Sequence, residues 1–276
     1  MSDLPSPDAV RLRQATGARF RHLRSDRAVV LRVRNGCKRV AGPCGSYVAT
    51  EGQVALLPAH LPLDIENRPT ANAPYAASAL VLPMGLARPI GTSWAGTTAL
   101  RQVTGAFERA LDACADPGVP PAIRRHRATE VLLWLAEAGL ALPADRPVRT
   151  ADRCRALVGG ALDRPWRAGD AARALAMSEP TLRRRLAAEG TGFADLLREL
   201  RMTQALTRLQ TTDLPVSHVA LEVGYASASR FARRFRARFG LPPSAIRTAP
   251  DGIGITPDRI GAETDRIGTA GVAADR

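Results

Sequence analysis

Arginine is the residue type in this chain best suited to chemistry. Of the 39 basic side chains among 276 residues, 38 are arginines and one, Lys38, is a lysine. A guanidinium carries five N–H donors in a fixed fork that fits a phosphate or the O6/N7 edge of guanine. The arginines cluster: Arg183, Arg184 and Arg185 are consecutive, and Arg230, Arg233, Arg234, Arg236 and Arg238 fall within nine positions. The formal net charge is +13 and the pI about 11.1. Residues 153–247 hold 17 arginines against 8 acidic residues, the densest excess in the chain. Such an excess points to a polyanionic partner. Charge alone leaves a solvated basic surface open, so pattern must decide.

Other reactive groups are sparse. No Ser-His-Asp arrangement, phosphate-cradling glycine loop or paired-carboxylate motif is present, so no catalytic residue and no cofactor are expected. His60 stands in a strand-rich region, but His22 is the other histidine before residue 100, too few for a barrel metal site; no metal is expected. Cys37, Cys44, Cys114 and Cys154 lack the short paired spacings of zinc sites and are too scattered for a disulfide framework. Cys37 and Cys44 read as free thiols rather than a redox pair. Lys38 and its neighbour Arg39 are the candidate cations for holding an effector carboxylate. No apolar run approaches the ~18–20 residues of a membrane span, and MSDLPSPDAV lacks the basic start and apolar core of a signal peptide. A cytoplasmic protein with no membrane partner is the expectation.

The arginine clusters sit in two segments of one grammar. In the first, about 168–189, a short helix over Asp170–Leu175 turns inward Ala171, Ala172 and Leu175. Ser178 is placed as N-cap and Pro180 lies in the following first turn, where a missing N–H does no harm. That second helix, anchored by Leu182 and Leu186, stops at Gly190. In the second segment, about 216–239, Val219, Ala220 and Val223 face inward, Gly224 permits a tight turn, and Ser227 caps a helix over Ala228–Phe239. Phe231, Phe235 and Phe239 share one face of it, arginines surround the rest, and Gly240 ends it. A short helix, a tight turn and a longer basic helix is a helix-turn-helix, whose second helix can enter a major groove. Between the two, a helix over 193–209 with Phe193, Leu196, Leu197, Leu200 and Leu206 buried would be a rigid strut. It suits the ~34 Å between successive major-groove faces.

The rest of the chain divides by texture. Residues 1–27 read as a loose segment. From Ala28, short strands are predicted at 29–33, 38–40, 46–49, 53–57, 63–66 and 76–82, with Asn35-Gly36 as a tight turn, suggesting a small barrel or sandwich. Helices are predicted over 100–115 and 123–142. In the latter, Ile123, Val131, Trp134, Leu135, Ala138 and Leu142 form a stripe that serves either core packing or a homodimer contact. Residues 143–152, with Pro143 and Pro147, read as a linker, and 248–276 as a disordered tail.

The stretch MSEPTLRRRLAAEGTGF, then LRMTQALTRLQTTDLPVSHVALEVGYASASRFARRFRARFGLPPSAIR, resembles the DNA-binding domain of AraC/XylS-type transcription regulators. The likeness covers about 153–247. Its specific elements are Ala220…Gly224-Tyr225-Ala226-Ser227, the Phe231…Phe235…Phe239-Gly240 series and Pro243-Ser244…Arg247. The arginine-rich wording is similar to a branch containing enteric acid-response and virulence regulators. The resemblance implies an α+β chain of two domains: a cupin-like β-barrel with dimerisation helices over 28–142 and an all-α domain with two helix-turn-helix motifs. It implies an activator, nucleoid-associated when bound, whose partners are a double-stranded DNA operator, RNA polymerase and a fatty-acid-like effector. Its base-reading positions fall on Pro180, Arg183 and Arg184, and on Ser229, Arg230 and Arg233. Pro180 departs from the pattern, since its side chain cannot hydrogen-bond a base edge. For each arginine a phosphate contact stands as the alternative; Arg238, farther along the helix, is assigned to phosphate. Two other functions are compatible with a domain of this kind. A DNA-repair methyltransferase can share this domain but needs a reactive Pro-Cys-His, where this chain has Pro43-Cys44-Gly45. A nonspecific architectural DNA binder is disfavoured by the two-headed design.

Overall fold

The computed structural model describes residues 6–43, 45–83, 85–86, 96–142 and 148–247. The predicted tail, and residues 143–147 of the predicted linker, lie outside them. The N-terminal part is two antiparallel sheets. One runs in the order β1 (Asp8–Gln14), β8 (Tyr75–Val81), β3 (Val29–Asn35), β6 (Val54–Leu57), β9 (Thr97–Thr98). The other is β2 (Ala18–Leu23), β7 (Leu63–Arg68), β4 (Cys37–Gly42), β5 (Gly45–Thr50). Strand alternation builds two cores from the first sheet. Leu31, Val33, Ala55, Tyr75, Ala77 and Ala79 face the second sheet. Val30, Val54, Leu56, Leu80 and Leu82 face outward, beneath α1 (Arg101–Ala115) and α2 (Pro121–Glu137). On that side the Glu108 carboxylate accepts 2.6 Å hydrogen bonds from Arg32 and Arg34, tying α1 to β3.

Several sequence expectations are corrected here. Among the described residues no strand pairing joins the two sheets, so the barrel is not closed. Asn35-Gly36 makes no hairpin: β3 and β4 lie in different sheets, and the turn carries the chain from one to the other. Gly36 has φ +79°, and a Cβ there would lie 2.2 Å from the Arg68 carbonyl oxygen. The segment expected to be loose holds β1 and β2. β1 pairs with β8 along its whole length, so backbone bonding orders a stretch whose side chains give little hydrophobic signal. α2 ends at Glu137, where Gly139, at φ +78°, closes it. Its predicted stripe splits: Val131 and Leu135 are buried, whereas Ile123 and Trp134 are exposed together with Leu133. The predicted linker runs into α3 (Thr150–Gly159), which buries Ala151 and Asp152.

The C-terminal part is all helix: α3, α4 (Ala168–Ala174), α5 (Glu179–Ala188), α6 (Phe193–Thr211), α7 (Val216–Glu222), α8 (Ala228–Phe239) and a short 3-10 turn at Pro243–Ile246. It has two hydrophobic cores, and α6 belongs to both. Phe193 and Leu196 pack with α3, α4 and α5. Met202, Ala205, Leu206 and Leu209 pack with α7, α8 and Ile246. Phe20, from β2, enters the second of these cores and meets Phe239 edge-on at 5.5 Å between ring centroids. Around it, Ala15 N–H donates to the Ile246 carbonyl at 2.8 Å, and Gln210 Nε2 to Gln14 Oε1 at 2.8 Å. The sheets are thus fastened to the second half of the helical part.

Candidate nucleic-acid interface

Both helix pairs turn by the same device. After α4, Met177 N–H bonds the Ala172 carbonyl and Ala176 N–H that of Arg173; after α7, Tyr225 N–H bonds Ala220 and Gly224 N–H bonds Leu221. This is the Schellman closure, which needs one residue in the left-handed region. Gly224 supplies it at φ +80° in the second motif, and Ala176 at φ +56° in the first. The next helix is then capped as expected: Ser178 Oγ accepts from Thr181 N–H at 3.3 Å, and Ser227 Oγ from Arg230 N–H at 3.4 Å. Gly224 has a second role. A Cβ there would lie 2.5 Å from both the Leu162 carbonyl oxygen and the Arg201 guanidinium, so the α7–α8 turn closes directly onto the α3–α4 loop and α6.

With Leu182 and Leu186 inward, α5 presents Pro180, Arg183, Arg184 and Arg185 to solvent. With Phe231, Phe235 and Phe239 inward, α8 presents Ser229, Arg230 and Arg233. The six sequence-predicted base-reading residues are therefore all exposed, on two capped helices. Arg183 also pairs with Glu179 one turn back on α5. Between the helices lies a cleft of about 660 Å³ lined by Arg183 of α5, Arg198 and Arg201 of α6, Arg230 and Arg234 of α8, and Arg167 ahead of α4. Its walls include Trp166, Phe193 and Tyr225 and no carboxylate residue.

Two sequence assignments are revised. Arg238 is half-exposed and turned toward the N-terminal part: its Nη2 donates to the Arg21 carbonyl at 2.7 Å and its guanidinium lies 5.1 Å from the Phe239 ring centre. It sits only about one-sixth of a turn from the phenylalanine face, and its bond to β2 competes with the phosphate contact expected of it. Lys38 and Arg39 cannot grip one carboxylate, because successive strand residues point to opposite faces. Lys38 is buried, donating to Asn67 Oδ1 at 2.6 Å over the Tyr75 ring, and burial pushes its pKa down to about 7; Arg39 is exposed. His60 lies at the joint, its Nδ1 3.6 Å from Asp152 Oδ1. Cys44 lies outside the described residues, and burial pushes the Cys154 thiol up to about 11.

Two arginines that hold the frame were missed as such in the sequence. Arg201 donates to the carbonyls of Leu162 and Arg164, and Arg247 to those of Leu209, Thr212 and Leu214. Burial lowers the pKa of both. Nothing in their spacing separates them from solvent-facing arginines.

Residues 171–249 match a family model described as a helix-turn-helix domain. The chain carries an AraC-type helix-turn-helix domain. Over 97 residues it is 36% identical to the DNA-binding dual transcriptional regulator Rns of Escherichia coli and 35% identical to the transcriptional activator CfaD of the same organism. Each match spans 35% of this chain and 37% of the relative. The whole fold is similar to a crystal structure of ToxT from Vibrio cholerae, with TM-score 0.60 and 14% identity over 86% of this chain and 94% of that one. A ToxT structure with unsaturated fatty acid bound gives the same TM-score, with 14% identity over 88% and 96%. The helix-turn-helix domain is thus shared in sequence, whereas the sheets are shared in fold alone.

Proposed function

We propose that this protein is a sequence-specific transcription regulator, an activator, which binds a double-stranded DNA operator and reads two successive major-groove segments with α5 and α8. One observation carries this: two capped helices, each rooted in its own core on the shared strut α6, expose Pro180, Arg183, Arg184 and Ser229, Arg230, Arg233. An activator requires RNA polymerase as a further partner, and Rns and CfaD are both named as transcription regulators. The matched relatives, Rns and CfaD, favour regulation over alkyl transfer. In this reading the two sheets are an opened cupin-like sensing unit, and α2 offers Ile123, Leu133 and Trp134 as a homodimer face. A fatty-acid-like effector is proposed for the sheets, with Lys38 as its cation. The fatty-acid-bound structure of the same fold supports it, and a carboxylate arriving beside the buried amine would favour its charged form.

Genomic footprinting supplies the operator, and binding to its single-base variants tests the reading. Arg233→Ala is expected to cost about 1–3 kcal/mol and to relax preference at one base pair. An unchanged base profile would mean that α8 does not read DNA by this face.

A further inference from the structure

The cleft between the motifs has a composition that its role as a gap does not explain. Six arginines from four separate stretches of chain converge on it, and none of its lining residues is acidic. Arg183 is partnered by Glu179, Arg198 by Asp195, and Arg201 by backbone carbonyls. Arg167, Arg230 and Arg234 have no ion-pair or side-chain hydrogen-bond partner among the described residues. Cations gathered in a concave, partly apolar wall raise the local potential and repel one another until an anion enters. The floor is not polar throughout: Trp166, Phe193 and Tyr225 contribute to it. Trp166 is fixed by its Nε1–H bond to the Ala161 carbonyl and by Arg164 over its ring.

The position of the cleft selects the anion. It opens between the helix carrying Arg183 and the one carrying Arg230 and Arg234. When two recognition helices occupy successive major grooves, a minor groove passes between them, flanked by sugar-phosphate backbone. Phosphates there need cations and their sugars accept apolar contact, which is the composition of this wall. Resting on the proposal that α5 and α8 read DNA, we propose that the cleft is a backbone seat. Arg167 and Arg234 would grip phosphates of the strand crossing between the two reading segments, and so fix their register without reading a base. Arg230 can serve both the seat and the base edge, so it is a poor probe; Arg167 and Arg234 separate the functions.

The test uses the full-length protein and the variants Arg167→Ala, Arg234→Ala, Arg234→Lys and Arg233→Ala. Binding is measured to the operator and its single-base variants at several salt concentrations. Each alanine variant of the seat is expected to lower the slope of log affinity against log salt by about 0.9. Each should weaken all operator variants by one common factor. Arg234→Lys should restore the slope, since a phosphate accepts a point charge whereas bidentate base reading does not. Thermal melting should match the unsubstituted protein for all four, as the side chains are solvent-facing. The seat is overturned if wild-type slopes persist in both alanine variants, or if either changes preference at a single base pair. It is also overturned if they bind DNA normally but lose transcription in a reconstituted assay, which would assign the cleft to an acidic protein segment. Failure of the DNA reading itself looks different: the unsubstituted protein would then show no operator preference, and Arg233→Ala no altered profile.

Discussion

Gly224 and Ala176 hold the same corner of their motifs with different side chains, and the difference is measurable. At Gly224 both the positive φ and the 2.5 Å approach to the Leu162 carbonyl exclude a Cβ. Gly224→Val is therefore expected to disrupt the second motif and abolish specific binding, checked by operator titration; wild-type affinity would mean that the turn tolerates a side chain. At Ala176 a methyl group already occupies the left-handed region, which costs ~1–2 kcal/mol. Ala176→Gly recovers part of this against the added freedom of the unfolded chain, and should raise stability by up to about 1 kcal/mol in urea unfolding. Gly224 is legible in the sequence because glycine announces such a corner; at Ala176-Met177-Ser178 the sequence shows a turn but not that Ala176 takes the left-handed corner, which the bonds of Ala176 to Arg173 and Met177 to Ala172 reveal. Lys38 was legible as the lone lysine, but its pairing with Arg39 ignored strand alternation. Its pKa of about 7 against the usual 10.5 means that the unfolded chain binds this proton more tightly. The burial penalty is complete below about pH 7, and stability should rise with pH from there toward 10.5. Lys38→Met should flatten that rise in unfolding titrations; an unchanged slope would place its origin elsewhere.

The helices proposed to carry the interface follow their sequence periodicity because each buries one narrow apolar stripe, such as Phe231, Phe235 and Phe239 in α8. The strands β1 and β2 were hidden because their order comes from pairing with β8 and β7, distant in sequence, and from packing against α6 and α8. The strut α6 was expected as a connector, but its rigidity has a source that periodicity does not show. Arg201 stands at the boundary between the two cores and binds the Leu162 and Arg164 carbonyls, which anchors the loop between α3 and α4 to the strut. Arg201→Ala leaves those carbonyls without this donor and should cost about 1–3 kcal/mol of stability. Because this guanidinium is committed to backbone, the salt slope of operator binding should stay as in the unsubstituted protein. A fall of about one unit would place Arg201 on phosphate instead.

At the scale of the molecule, the two parts share a core. Phe20 is 1% exposed within the cluster formed by α6, α7 and α8, and Arg238, Gln210 and Ile246 each bond to the same stretch of β1–β2 and its connection. Charge and motif point to the C-terminal part for the proposed DNA binding, but nothing in the polar sequence around Phe20 indicates that it completes the second motif. The contacts reach the second motif through its buried phenylalanine face and leave Ser229, Arg230 and Arg233 exposed. Two consequences follow for a fragment of residues 148–247. It should bind the same operator with the same base profile as the full chain, more weakly if the N-terminal part dimerises. It should also melt at a lower temperature, because Phe239 and Ile246 lose their cover. Phe20→Ala in the full chain removes the same contact and should cost about 3–5 kcal/mol, the range for a large aromatic taken from a core. Its melting should show the second motif loosened while the sheets hold. Calorimetry of the three proteins checks this. A fragment that melts as high as the full chain would show that Phe20 merely rests on α8, and DNA binding confined to an N-terminal fragment would overturn the division of roles itself.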